Sequence, residues 1–309
     1  MTGAAKTTPD MITEMTLAEY AGAADPRIRR ILASLITHLH AFAKDVELKP
    51  DEIIAAAQFL TWGGKISDEK RHEFILMSDT LGLTMLAETM ADDLPEGAFE
   101  PSVLGPFYRE GSPWIEHFDT ISRGENDGLP CLVEGRVTHL DGTPVAGAEL
   151  DIWQTNNNGL YENVDPDQPD YNLRGRLKTR DDGTYSFWTV RPEAYPIPVD
   201  GPVGALLEAG GRHNMRPAHI HFIVSAPGLK TVVSEIFDAE DKWLGGDAVF
   251  GVKDSLKVEF TEVDEPEMAA KYGQPNPFVR MTYDFRLVEG ERAKVSFSTG
   301  ATDRTMSAA

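Results

Sequence analysis

Residues 131–153 read CLVEGRVTHLDGTPVAGAELDIW. A run of apolar and β-branched residues (131–140) is followed by Asp141-Gly142 and then by a second such run (146–153). Asp-Gly between two runs of this kind is a turn signal, because glycine tolerates the positive φ that a tight turn imposes. The pattern repeats downstream. Asp182-Gly183 opens into a run at 184–190, and further strand-like runs follow at 218–224, 230–237, 255–263 and 279–287. Strands at this density, without helices between them, predict an antiparallel sandwich or barrel, and we read a β-sandwich.

Upstream of Pro101 the character is different. Asp25-Pro26 is a helix start, an acid at the N-cap with proline in the first turn. Ile28, Ile31, Leu32, Leu35, Ile36 and Leu39 then recur at the three-and-four spacing of an amphipathic helix. A second helix is predicted over 51–60. A third is predicted to be capped by Ser67 with Asp68 and Glu69, and it carries Phe74, Ile75, Met77 and Leu81. The expected class is α+β, with a helical N-terminal domain at 1–104 and a β-sandwich domain at 105–309. The apolar helix faces suit a small bundle or a second subunit. Residues 1–10 and 298–309 are small and polar and are expected to be loose.

Composition excludes several functions. The 309 residues carry a formal net charge of −21, the wrong sign for phosphate-backbone recognition or an anionic membrane surface. One cysteine, Cys131, forbids an internal disulfide or a cysteine metal cluster, and its apolar strand predicts a packed thiol. No apolar run approaches membrane-spanning length, and no basic-then-apolar leader is visible. A cytoplasmic location is the expectation.

The sharpest local feature is Arg216-Pro217-Ala218-His219-Ile220-His221-Phe222. Residues two apart on a strand share a face, so His219 and His221 project together while Ile220 and Phe222 face the other way. Two imidazoles one pleat apart can share a metal ion, and equally can hydrogen-bond on a half-buried face. His38 and His40 are an internal contrast: a spacing of two on a helix sends side chains to nearly opposite faces, so that pair cannot chelate. Two histidines do not fill a coordination shell. A carboxylate would give a ferrous-type site, and tyrosines are the other option. Tyr161 follows the strand-to-loop segment that begins Asp151-Ile152-Trp153-Gln154, and Tyr195 lies in the stiff segment Arg191-Pro192-Glu193-Ala194-Tyr195-Pro196.

These pieces, with Leu104-Gly105-Pro106-Phe107-Tyr108, together resemble the intradiol ring-cleavage dioxygenases, and they occur in that family's order. The resemblance covers almost the whole chain. It implies that Tyr161, Tyr195, His219 and His221 bind one Fe(III). Catalytic roles fall to Tyr195, which would leave the metal and take up a substrate proton, and to Arg216, whose guanidinium would stabilise charge developing on the ring. It implies O₂ and a small aromatic diol or triol as substrates, and a homodimer joined through the helical domain, often with a lipid in that interface. One position departs from the catechol enzymes, which carry glutamine on the strand after the histidines; here it is Glu235. A carboxylate beside an anionic substrate is unfavourable unless protonated or paired. Glu235 is therefore read as pointing away, pairing with Arg216, or marking another subclass.

Ser102-Val103-Leu104-Gly105-Pro106-Phe107 and Ser78-Asp79-Thr80-Leu81-Gly82-Leu83 resemble the hydroxyquinol enzymes more than the catechol enzymes. By that resemblance Asp79 would accept a hydrogen bond from a third ring hydroxyl, and Leu76, Val103, Leu104, Gly105, Pro106, Phe107, Ile197 and Pro198 would line the pocket with Arg216. The preferred substrate would be hydroxyquinol (benzene-1,2,4-triol), with catechol or substituted catechols as the alternative. Two rivals stand beside this: a two-histidine-carboxylate site for ferrous iron or zinc, and a non-enzymatic acidic sandwich that binds a partner.

Overall fold

The computed structural model describes residues 6–68, 71–91, 94–124 and 126–290. The expected loose tail at 298–309 lies outside them, as does Glu69 of the predicted cap. The chain divides into two compact units, 1–62 and 63–309. That division falls well before Pro101, where the sequence changes character.

The first unit holds helix α1 (Pro9–Tyr20), α2 (Pro26–Asp45) and the start of α3 (Pro50–Ile66). Helix α1 begins at Pro9, inside the stretch expected to be loose, because Thr8 caps it by accepting from Met11 N at 3.3 Å. Asp25 caps α2 as read, accepting from Arg27 N and Ile28 N at 2.7 and 3.1 Å. His40 Nδ1 reaches Thr13 Oγ1 at 3.1 Å, an ordinary interhelical contact.

The second unit opens with α4 (Glu73–Thr80) and α5 (Leu83–Ala91). Helix α4 starts after His72, later than the predicted cap; Ser67 instead reaches forward and accepts from Glu73 N at 3.2 Å. Twelve strands follow: β1 (Pro130–His139), β2 (Glu149–Trp153), β3 (Arg174–Lys178), β4 (Thr184–Val190), β5 (Tyr195–Pro196), β6 (Met215–Arg216), β7 (His219–Ser225), β8 (Val232–Asp238), β9 (Lys257–Val258), β10 (Thr261–Val263), β11 (Phe278–Thr282) and β12 (Phe285–Leu287). Short helices α6 (Pro202–Ala209) and α7 (Pro266–Lys271) interrupt them. Strands β3, β5 and β6 and both helices were not anticipated.

Two five-stranded sheets form the sandwich. One runs β10-β11-β1-β12 with β4 also on β1, and the other runs β3-β2-β7-β8-β9. Most pairings are antiparallel, but β1 pairs parallel with β11 and β12, and β8 with β9, so the sheets are mixed. Ile220, Phe222 and Val224 of β7 point into the core with Leu150, Ile152, Phe187 and Phe285. Phe222 meets Phe187 at 6.4 Å and Phe285 at 5.0 Å between ring centres, bridging the two sheets. Because the inward face takes the even-numbered residues, the odd-numbered His219 and His221 emerge together on the outer face, as the period-two argument requires. Cys131 is fully buried.

Candidate metal centre

Four donors converge on that outer face. Strand β7 supplies His219 and His221, whose Nε2 atoms lie 3.2 Å apart. The two-residue ladder β5–β6 sets Tyr195 opposite Arg216 and carries the tyrosine over the histidines. Tyr195 Oη is 3.5 Å from His219 Nε2 and 3.3 Å from Tyr161 Oη. Tyr161 comes from the loop after β2. Gly159 turns that loop at φ +77°, where a Cβ would sit 3.1 Å from Tyr195 Cβ; a side chain there would be strained and would crowd the ring. Phe107 stacks on Tyr161 at 4.6 Å between centres, and Trp153 stacks on His221 at 4.6 Å, with planes 7° apart.

All four rings are buried. Burial holds His219 down to about 3, with Arg216 adding to the effect, and holds His221 well below its ordinary range. Both imidazoles are therefore neutral. His219 Nδ1 donates to the Pro217 carbonyl at 2.7 Å, leaving the Nε2 lone pair aimed at the other donors. Two imidazole nitrogens at 3.2 Å beside two hydroxyl oxygens form a cluster of lone pairs that a cation would relieve. Burial pushes both tyrosines up, and Tyr195 adds to the effect at Tyr161, which is raised well above its ordinary value. Their phenolate forms thus need a strong positive charge nearby. Hard oxygen anions with neutral imidazoles are a donor set suited to a trivalent ion, so these residues fit ferric iron.

Around the donors lies a buried ionic network. Arg216 donates to Glu235 Oε1 at 2.7 Å and, from its other edge, to both oxygens of Asp247 at 3.0 and 3.2 Å. Glu235 pairs with Arg216, one of the three readings its sequence position allowed. Against the upward push of burial, Arg216 holds its other partner, Asp247, below the usual carboxylate range, whereas burial raises Glu235. Sequence reasoning missed Asp247 and the role of Ser102, whose Oγ lies 2.7 Å from Glu235 Oε2.

The expected pocket residues divide. Leu76, Phe107 and Ile197 share one buried cluster with Trp153, Tyr161 and Tyr195, and Leu104 packs against it. A Cβ on Gly105 would lie 3.4 Å from His221 Cε1, so that backbone also borders the centre. Val103 belongs to a separate cluster with Met85 and Val249. Pro106 and Pro198 are half-buried. Asp79 is buried, and neither carboxylate oxygen has a hydrogen-bond partner among the described residues. Burial raises its pKa to about 6; the Thr84 hydroxyl nearby, too poorly placed for a full hydrogen bond, and then Arg216 act in the opposite direction.

Comparison with known proteins agrees with this geometry. Residues 103–289 match the family described as "Dioxygenase", and residues 25–98 match "Catechol dioxygenase N terminus". The chain is 46% identical over 245 residues to a 6-chlorohydroxyquinol 1,2-dioxygenase of Cupriavidus pinatubonensis, covering 79% of this chain and 88% of that protein. It is 44% identical to a hydroxyquinol 1,2-dioxygenase of a Rhizobium species, covering 89% and 93%. A solved hydroxyquinol 1,2-dioxygenase from Pseudomonas putida superposes with a TM-score of 0.83 at 41% identity, covering 91% of this chain and 99% of that one. Sequence and fold agree: the chain belongs to the intradiol ring-cleavage dioxygenases, an iron-dependent family of enzymes.

Proposed function

We propose that this enzyme opens hydroxyquinol between its two adjacent hydroxyl-bearing carbons, adding both atoms of O₂ to give 3-hydroxy-cis,cis-muconate, which tautomerises to maleylacetate. The observation that carries the reading is the convergence of Tyr161 Oη, Tyr195 Oη, His219 Nε2 and His221 Nε2 within 3.2–3.5 Å from neighbour to neighbour. These four would hold Fe(III), with the Arg216 guanidinium beside them. Bound ferric iron would supply Lewis acidity and a template for two neighbouring hydroxyl oxygens.

The protein's own groups do the rest. Tyr195 sits beside Arg216 and His219, placed to take a substrate proton at Oη. Phe107, Leu76, Ile197 and Leu104 exclude water around the ring. Gly105 borders the centre at His221, and Pro106, Val103 and Pro198 complete the pocket in this reading. Asp79 is a buried carboxyl with no well-formed hydrogen bond; a hydroxyl donated to it would offset its desolvation, and catechol lacks that hydroxyl. Such a site rejects the analogue more strongly than an apolar pocket could.

An oxygen-uptake assay with hydroxyquinol and with catechol tests the substrate, and a faster rate with catechol overturns that choice. A visible spectrum, before and after anaerobic addition of each, tests the centre through tyrosinate-to-iron charge transfer. A second reading is favoured by one observation: Glu235 Oε1 lies 3.6 and 3.5 Å from the two imidazole Nε2 atoms, which gives a two-histidine-carboxylate set. Colourless, fully metallated protein would establish that rival. The reading includes a homodimer through the helical domain (1–104), with lipid in its interface, supported by exposed Leu35, Leu39, Phe42, Ile53 and Ile54. It also includes a cytoplasmic location, supported by the single cysteine. Among the described residues no helix is long and apolar enough to cross a membrane.

A further inference from the structure

Residues 154–173 join β2 to β3 through turns, and Tyr161 lies among them. A stretch outside the sheet ladders holds its side chains only as well as its anchors do. Glu162, the next residue, supplies one. Its carboxyl is buried and held at both oxygens: Arg174 Nε donates to Oε2 at 2.7 Å, and Arg109 Nη1 donates to Oε1 at 2.8 Å. The two arginines come from different places. Arg174 opens β3, where the ladder sets it opposite Trp153, the residue stacked on His221. Its guanidinium carbon lies over the Tyr161 ring, 5.8 Å from the centre, and its Nη1 has no hydrogen-bond partner among the described residues. A cation at that distance is attracted to the ring face. Arg109 comes two residues after Phe107, which stacks on Tyr161. Between them, Tyr108 packs edge-on against Trp153 at 5.0 Å between centres. Arg109 also donates to Asp170 and covers the Tyr171 ring at 4.0 Å, both in the same β2–β3 connection. One carboxyl therefore couples three pieces: the loop with Tyr161, the strand beside Trp153, and the segment with Phe107.

We propose that Glu162 is a positioning residue for the metal centre: through Arg174 and Arg109 it locks the loop carrying Tyr161 to the segment carrying Phe107, and so fixes the direction from which the Tyr161 oxygen meets the other donors. The inference rests on the ferric reading above. Both arms act on the residue adjoining Tyr161. Loss of either lets the ring turn against Phe107 and the oxygen drift from Tyr195 Oη, 3.3 Å away. Small misplacements of this kind weaken a site and slow its turnover before the fold is lost.

The test compares the intact, iron-loaded protein with Glu162→Gln, which keeps the shape but cannot accept from both arginines. Arg109→Ala cuts only the arm to the Phe107 segment, and Arg109→Lys returns a donor to it. Iron retention against a chelator, the visible band without substrate, and kcat and KM for hydroxyquinol are measured in each. In Glu162→Gln, iron affinity should fall by about 10–100-fold, and the charge-transfer band should shift and weaken. At full iron loading kcat should fall by about tenfold or more, with a smaller change in KM. Arg109→Ala should move the same readouts in the same direction by less, and Arg109→Lys should recover most of that change. Arg109 is half-buried, so these two variants carry the test if Glu162→Gln fails to fold. A coloured wild type beside folded variants whose band and iron affinity stay put, even with a lowered melting temperature, overturns the inference and leaves the ferric reading intact. Wild-type protein that loads iron and shows no visible band overturns both.

Discussion

His219 Nδ1 donates to the carbonyl oxygen of Pro217, two residues earlier, at 2.7 Å. This contact fixes the tautomer and turns Nε2 toward Tyr195 and His221. Outer contacts of this kind typically contribute 10–100-fold to metal affinity, and a ligand itself contributes at least as much. His219→Ala should therefore lose at least about 100-fold in iron affinity and fall to background activity. Metal analysis after dialysis against a chelator checks it; iron retained at wild-type level would remove His219 from the ligand set.

Tyr161→Phe separates colour from fold. The ring keeps its stack on Phe107, so the melting temperature of metal-free protein should change little. The visible band should weaken and shift, and activity should drop at least about 100-fold. An unchanged spectrum would contradict a role for the Tyr161 oxygen.

Asp79 makes stability depend on pH in a defined direction. Burial moves its carboxyl from 3.8 up to about 6. Between those values the folded protein keeps a proton that the unfolded chain has lost. The penalty on the folded state therefore grows as pH rises from about 4 to 6 and persists above that range. Asp79→Asn should be more stable than wild type by about 2–3 kcal/mol at pH 8, with the gap closing toward pH 4. Urea unfolding of both proteins at several pH values decides it, and a gap independent of pH would show another cause. The same variant should lose about tenfold or more of its preference for hydroxyquinol over catechol in kcat/KM.

Phe285 lies between the sheets, 5.0 Å from Phe222 and 4.7 Å from Phe99 between ring centres. Phe285→Ala should destabilise the fold by about 3–5 kcal/mol through lost burial and a residual cavity. Chemical denaturation reads this directly; a loss below about 1 kcal/mol would mean that the site collapses around the deletion.

The parts of the fold visible in the sequence were those with a short period. Alternation placed His219 and His221 on one face and Ile220 and Phe222 on the other, and Asp-Gly pairs placed the turns. Direction and breaks were not visible. The run predicted at 279–287 is two strands, β11 and β12, separated at Tyr283 and Asp284, where Asp284 accepts from Arg136 N. Strand β3 escaped notice because it is rich in arginine, and buried Arg174 is tolerated because Glu162 and Asn163 accept from it. Helix α6 escaped because its eight residues are too few for a helical period to stand out. Tyr161 and Tyr195 lie on loops and short ladders with no period, so only family resemblance singled them out. Asp247 sits in irregular backbone, and nothing local marks it as the second partner of Arg216.

The parallel pairing of β1 with β11 and β12 bears on how the molecule is made. Cys131 finds its neighbour Val279 roughly 150 residues later, so β1 waits, one edge uncovered, until β11 has left the ribosome. Contacts that distant carry a heavy loop-closure cost and slow the search. The sandwich that displays the four clustered rings is therefore among the last features to assemble, and a chain cut short before β11 cannot complete it.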